Sequence, residues 1–273
     1  MIKVCLLGIG RTGQQIAKVL LEQENIKLVG AICSPESSKI GMDLGSILCT
    51  SNLGIKIYSV DELEKIIFML KPDVVIDFSN YEATMKCAKT FAKMKVNMVI
   101  GTTGFSEENI KGLRSLSQKY DNGIVFAPNI TVGVNAMMLL ANIAASILSN
   151  YDFQIIETHH KHKKDSPSGT ALKLGKEIEK ALGNEDINSK EISISSFRVG
   201  GVVGKHEVLI VGEDDKIEIS HESFSRKAFA MGAVKAVNFI YKKPGYFEMS
   251  NVLNLNQVLL DHINNSGDIV IEN

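Results

Sequence analysis

Between positions 159 and 170 the chain concentrates groups that move protons and bind anions. His159, His160 and His162 interleave with Lys161, Lys163 and Lys164, three imidazoles and three ammonium groups in six positions. Pro167, Ser168, Gly169 and Thr170 follow, and 171–182 reads as a helix closed by Gly183. Pro with Ser or Thr at a helix opening, and Gly at its close, are start and stop signals. The amides of Ser168, Gly169 and Thr170 are therefore expected to be unpaired donors at a positive helix end, a seat for carboxylate or phosphate. Imidazoles beside such a seat imply proton transfer on an anionic substrate. Two plainer readings compete. A charge run is commonly a solvated face, and His-rich tracts also hold zinc. Here the interleaved lysines repel a cation and no cysteine lies nearby, so no metal is expected.

The elements that must carry these groups are those of an ordinary globular chain. Its 273 residues have room for one large domain or two modest ones. A hydrophobic content of 45% and a charged content of 22% are typical of such proteins. With a net charge of −1, no bulk field recruits nucleic acid or an anionic membrane, so affinity for anions must be local. Cys5, Cys33, Cys49 and Cys87 show no CxxC spacing and read as reduced, packed thiols. The chain starts on a strand-like run without signal-peptide regions, and its longest apolar stretch, 136–148, is too short for a membrane span. A cytoplasmic location is the expectation.

In chain order, 2–7 reads as a buried strand, followed by Gly8, Ile9, Gly10, Arg11, Thr12 and Gly13 and then a helical run. This is a G-x-G-x-x-G loop in strand–turn–helix context. The first Gly permits the turn, the second lets a pyrophosphate approach the backbone, and the third lets helix pack on strand. The second strand, 27–32, lacks the terminal acidic residue that grips the ribose hydroxyls of NAD. Ser34, Ser37, Ser38 and Lys39 could instead accept a 2′-phosphate, which leans towards NADPH or mixed use. A capping box is expected at Asp61 and Glu64. Further strands at 74–78, 96–100 and 123–127 alternate with helices, which predicts a Rossmann-type, doubly wound parallel sheet. Ligands bind beyond the carboxyl ends of such strands, here 77–79, 101–103 and 127–129.

After Asn129 the pattern changes. An apolar helix over 136–148 and a strand over 153–158 lead to His159. Long alternating strands at 191–199, 202–211 and 216–222, with turns at Gly200-Gly201 and 212–215, predict a second α+β domain with an open, mostly antiparallel sheet. Its uncovered apolar face would pack on another subunit. An amphipathic helix over 225–241, with 252–260, is expected to return to the first domain. The expected division is a dinucleotide-binding domain at 1–129 completed by 242–273, and a substrate-binding and oligomerisation domain at 130–241.

These segments resemble a known family. The stretch from His159 to Ala171 is similar to the signature of 4-hydroxy-tetrahydrodipicolinate (dihydrodipicolinate) reductases of bacterial lysine and diaminopimelate biosynthesis. The likeness continues through Asp77-Phe78-Ser79, Gly101–Gly104, Ala127–Asn135, Arg198–Gly204, Ser225-Arg226 and Phe229–Ala233, nearly the whole chain. It implies that His159 is the general acid/base that protonates the substrate ring, with Lys163 as the second catalytic cation. It further implies that His160 and the Ser168, Gly169 and Thr170 turn bind substrate carboxylates. Gly8, Ile9, Gly10, Arg11, Thr12, Gly13 and Ser34, with Gly101, Thr102, Thr103, Ala127, Pro128 and Asn129, would hold NADPH or NADH. The implied substrate is a cyclic imine dicarboxylate, and family members are usually homotetramers. Ser166 stands where the family mostly has Ala. The Gly-rich loop is one residue shorter than the common form, with Thr12 where Met is usual, and cofactor preference stays open. Two alternatives also stay open: a related imine or amino-acid dehydrogenase, and a catalytically silent dinucleotide sensor.

Overall fold

The computed structural model describes residues 1–183 and 192–265. The first half alternates strand and helix: β1 (Ile2–Leu7), α1 (Arg11–Leu21), β2 (Ile26–Cys33), α2 (Leu44–Leu48), β3 (Ile57–Ser59), α3 (Leu63–Leu70), β4 (Val74–Asp77). It continues with α4 (Tyr81–Lys93), β5 (Asn97–Ile100), α5 (Glu107–Tyr120) and β6 (Gly123–Phe126). The second half runs α6 (Val132–Ile147), β7 (Asp152–His159), α7 (Gly169–Ala181), β8 (Ser193–Arg198), β9 (Lys205–Val211) and β10 (Lys216–Glu222). It ends with α8 (Lys227–Ile240), β11 (Gly245–Phe247), α9 (Met249–Val252) and α10 (Leu255–Asn265).

Seven strands form one parallel sheet in the order β11-β6-β5-β4-β1-β2-β3. The central strands are mostly apolar because helices cover both faces: Val74, Val75, Ile76, Val99, Ile124 and Val125 are fully buried. The strand order reverses between β1 and β4, which places a crevice at their carboxyl ends. Helix α8 lies on this sheet, with Ala230, Ala233, Ala236 and Val237 in the same core as Val4, Leu6, Val74 and Val99. The expected return of the chain to the first domain therefore begins with α8. Strand β11, unread in the sequence, extends the sheet beside β6. At three residues, Gly245-Tyr246-Phe247 is too short to show a period.

The second sheet has the order β10-β9-β7-β8. Two of its pairings are antiparallel and β7–β8 is parallel, so the expected mostly antiparallel sheet is present. One expectation fails: Gly200-Gly201 is not a hairpin turn, because β7 lies between β8 and β9 and the chain must cross it. The 212–215 turn does join neighbours β9 and β10. Two other boundaries differ. The strand expected from 191 is described from Ser193, and 191 lies outside the described residues. The capping box at Asp61 is not formed; the Ser59 hydroxyl instead accepts from the Asp61 amide at 3.3 Å, opening a 3₁₀ turn before α3.

The inward face of the second sheet packs on α6 and α7. Helix α7 buries Ala171, Leu174, Gly175 and Ile178, at spacing i, i+3, i+4 and i+7, against Ile155, Val208 and Ile210. Full burial of Leu174 or Ile178 contributes roughly 1.5–3 kcal/mol each. This packing sets where α7 begins, and hence where its N-terminus meets β7. Among the described residues, no helix is long and apolar enough to cross a membrane.

Candidate active site

A cleft of about 450 Å³ opens where the carboxyl ends of β1, β4, β5 and β6 face the end of β7 and the start of α7. Its dinucleotide side is built by close approach. Gly8 has φ +95°, and a Cβ there would lie 2.7 Å from the Phe78 carbonyl oxygen. A Cβ on Gly13 would lie 2.0 Å from the Gly8 carbonyl oxygen, so the helix meets the turn at backbone contact. A Cβ on Gly10 would meet nothing within 4 Å, which leaves the loop backbone open to a diphosphate. The Phe78 ring lies directly against Gly101. Under this floor sits Asp77, which accepts from the Ser79 amide (2.9 Å) and from the hydroxyls of Ser79 (2.6 Å), Thr84 (2.6 Å) and Thr102 (3.2 Å). Burial pushes its carboxyl up, and these donors oppose that shift. The network ties the ends of β4 and β5 to α4.

The predicted cofactor residues divide accordingly. Gly10, Arg11, Thr12, Gly101, Thr102, Thr103, Pro128 and Asn129 line the cleft. Gly8, Ile9, Gly13 and buried Ala127 lie behind its wall and shape it. Ser34 is exposed just beyond β2 and away from the cleft lining. Lys39 folds back, its Nζ donating to the Ile9 carbonyl at 2.6 Å, which brings a cation onto the Gly-rich loop.

The opposite wall carries the chemistry. His159, His160, Lys163 and Thr170 line the cleft, with Lys164, Arg226 and Arg11 adding positive charge. Lys161 and His162 are exposed and do not line it, so part of the charge run is a solvated face. Burial, then nearby Arg11 and Arg226, push the His160 imidazole below its ordinary value. Lys163 Nζ lies 2.8 Å from the Asp165 carboxylate, whose ionised form this pairing favours despite burial. The Thr170 hydroxyl donates to Asn129 Oδ1 at 2.5 Å, joining the substrate wall to the cofactor wall.

Ser168 departs from expectation. It caps α7, its hydroxyl accepting from the Ala171 amide at 3.2 Å. It is nonetheless only 1% exposed, and its own amide donates to Glu157 Oε1 at 3.2 Å. Ser168 is thus a support for the turn and not a free anion donor; Gly169 is exposed and Thr170 faces the cleft.

Three residues around His159 had been given no role. Glu157 and His159 are two apart on β7 and so share its inward face. Strand register then puts Arg198 of β8 opposite His159, and His206 of β9 opposite Glu157. Glu157, wholly buried, accepts from His159 Nδ1 through Oε2, and from Arg198 Nη2 at 2.7 Å through Oε1. Burial works against its ionisation, but these hydrogen bonds, led by that of Arg198, outweigh burial and hold the carboxyl at about 2. Burial lowers the His159 imidazole, and Glu157 opposes that shift. His206, edge-on to His159 at 5.1 Å and 3.2 Å from the Ser168 hydroxyl, is driven down to about 3, chiefly by burial, and is neutral at pH 7. The period-2 spacing of 155, 157 and 159 was the available signal for Glu157. Nothing local marked Arg198 or His206, because only register brings them in. Gly204 leaves room for the ring: a Cβ there would lie 3.0 Å from His159 Nε2.

Comparison with known proteins agrees with this architecture. The sequence-family models described as dihydrodipicolinate reductase, N-terminus, and dihydrodipicolinate reductase, C-terminus, match residues 2–130 and 133–253. A 4-hydroxy-tetrahydrodipicolinate reductase of Methanocaldococcus jannaschii is 37% identical over 94% of this chain and 99% of its own. That of Methanosarcina acetivorans is 40% identical over 93% and 100%. A dipicolinate-bound dihydrodipicolinate reductase from Paenisporosarcina sp. TG-14 superposes with a TM-score of 0.73 at 27% identity, covering 91% of this chain and 97% of that one. The chain belongs to the dihydrodipicolinate reductase family.

Proposed function

We propose that this protein reduces 4-hydroxy-tetrahydrodipicolinate to tetrahydrodipicolinate with NADPH or NADH, on the route to diaminopimelate and lysine. The observation that carries the reading is the arrangement of one cleft. A Gly-rich loop open to a diphosphate faces an imidazole backed by a buried carboxylate, with a surplus of cations between them. When bound, the nicotinamide cofactor supplies a hydride. The chain's residues supply the rest. His160, Lys163, Arg226 and the Gly169-Thr170 turn attract and orient a dicarboxylate. His159 gives the ring its proton from Nε2, since Nδ1 is engaged by Glu157. Lys163 offsets negative charge at the ring, exchanging its Asp165 partner for substrate. The hydroxyl of the starting compound leaves as water together with a proton from the neighbouring ring carbon, forming a C=C bond conjugated with the imine, and hydride plus the His159 proton then saturate that bond.

The absence of an acidic residue at the end of β2, where the first is Glu36 further on, and the Lys39 ammonium at the Gly-rich loop support use of NADPH as well as NADH. The chain is cytoplasmic and assembles as a homotetramer through the outer face of the second sheet, where Phe197, 54% exposed, and Val211, 40% exposed, present apolar surface. The test generates the substrate in place from pyruvate and aspartate semialdehyde with the preceding enzyme, then follows NADPH and NADH absorbance separately. Oxidation of both is expected. Oxidation of neither, by folded protein that binds dinucleotide, would shift the assignment to another imine.

A further inference from the structure

We propose that Glu157 is a positioning residue for the reaction: its buried carboxylate, fixed by Arg198, holds the His159 proton on Nδ1 and aims Nε2 at the substrate. The inference deepens the proposed function and rests on His159 as the proton donor. Three observations carry it. First, Glu157 sits on the same strand face as His159, with its Oε2 on Nδ1 and its Oε1 held separately by Arg198 at 2.7 Å and by the Ser168 amide at 3.2 Å. A carboxylate tied at one oxygen cannot swing away from the other partner. Second, Glu157, His159 and Ser168 are buried and the Arg198 side chain is largely covered, and in such surroundings a hydrogen bond to an ion is strong and an unpaired one is costly. Third, Gly204 clears the Nε2 side, so the ring orientation chosen by Glu157 is the one with space in front of it.

The function of the arrangement follows from the groups facing His159. Lys163 from the following loop, Arg198 from β8 and burial all disfavour an imidazolium; neutral His206 from β9 adds no charge. Glu157 favours it. The donor must carry its Nε2 proton before turnover, and once it has given that proton the ring is left as the Nδ1–H tautomer on Glu157. The same carboxylate therefore raises the donor's proton affinity and fixes the form to which it relaxes. Arg198 serves by keeping Glu157 ionised.

The test measures kcat and KM across pH for wild type, Glu157→Gln, Glu157→Asp and His159→Gln, together with ¹⁵N resonances of the His159 ring in the wild-type protein at high pH. Activity that needs protonated His159 falls as pH rises through its pKa. Loss of the Glu157 charge should move that basic limb of kcat to lower pH by about 1–2 units, the worth of one charge-assisted hydrogen bond. KM for NADPH should stay within about twofold, and Glu157→Asp should restore the limb most of the way. The resonances should report the Nδ1–H tautomer, a readout that no variant has to fold to provide. A limb that stays where the wild type has it, or an Nε2–H tautomer, overturns the role of Glu157. Wild-type turnover in His159→Gln would instead overturn the donor assignment itself, so the two failures are distinguishable.

Discussion

Two alanine substitutions, three residues apart in sequence, separate the building of the cofactor loop from its use. A Cβ at Gly13 would lie 2.0 Å from the Gly8 carbonyl oxygen and 3.0 Å from its carbon. Ordinary contact is about 3.4 Å or more. Backbone on both sides leaves no flexible end to yield, so the start of α1 must lift from the turn. Overpacking of this kind costs about 1–3 kcal/mol, and the backbone clash argues for the upper end. At roughly 2–4 °C per kcal/mol for a chain of this size, Gly13→Ala should lower Tm by about 6–12 °C without any ligand. Gly10→Ala meets open space, and apart from a weaker helix cap should stay within about 1 kcal/mol of wild type. Its added methyl projects where a diphosphate must approach, and losing one charge-assisted hydrogen bond there costs about 1.5–3 kcal/mol. That predicts a roughly 10- to 100-fold rise in Kd for NADPH. Thermal unfolding of the apoproteins and fluorescence titration of bound NADPH read the two effects independently. A destabilised Gly10→Ala beside a stable Gly13→Ala would refute the reasoning about which glycine packs and which one binds.

Other perturbations act on the opposite wall. His159→Gln should lower kcat by about 10²- to 10⁴-fold, the usual contribution of a positioned proton donor, while NADPH titrates as in wild type; unchanged turnover removes His159 from the mechanism. Lys163→Ala removes a cation facing a dianion, so stopped-flow and steady-state kinetics should show lower kcat and a KM for substrate raised roughly 10- to 100-fold. Normal kinetics would return the lysine to the solvated face it shares with Lys161. Glu157 is held at about 2 in the fold against an ordinary 4.5. Because the folded value is depressed, its ionised form contributes stability that is full above about 4.5 and is lost as pH falls through about 2. Urea midpoints of wild type and Glu157→Gln should therefore converge between about pH 6 and about pH 3; a constant gap would mean that Glu157 is not the ionised partner described here.

Much of the fold was legible because its signals are local. Continuous apolar strands separated by helical runs forced a parallel sheet, and Gly8, Gly10 and Gly13 sat where β1 must turn into α1. The donor wall was legible for a different reason: His159, Lys163 and Thr170 are close in sequence and lie on one strand end and the turn after it. What sequence reading missed depends on pairing. Arg198 and His206 reach His159 only because β8 and β9 flank β7, an order that the Gly200-Gly201 hairpin expectation had wrong. Ser168 was misjudged because its amide looked free at a helix N-terminus. Its partner, the Glu157 carboxylate, is supplied eleven residues upstream by a neighbouring strand. Helix α8, by contrast, follows the second sheet in the chain and packs on the first, as the amphipathic run over 225–241 led one to expect.

In the proposed reaction, hydride and proton meet on a cyclic imine dicarboxylate held between the Gly-rich loop and His159. Turnover with NADPH deuterated at the nicotinamide C4, followed by mass spectrometry of the product, tests it most directly. Tetrahydrodipicolinate carrying one deuteron from the cofactor is expected, formed by wild type and nearly lost in His159→Gln. Cofactor oxidation without deuterium in that product, or with no tetrahydrodipicolinate at all, would contradict it.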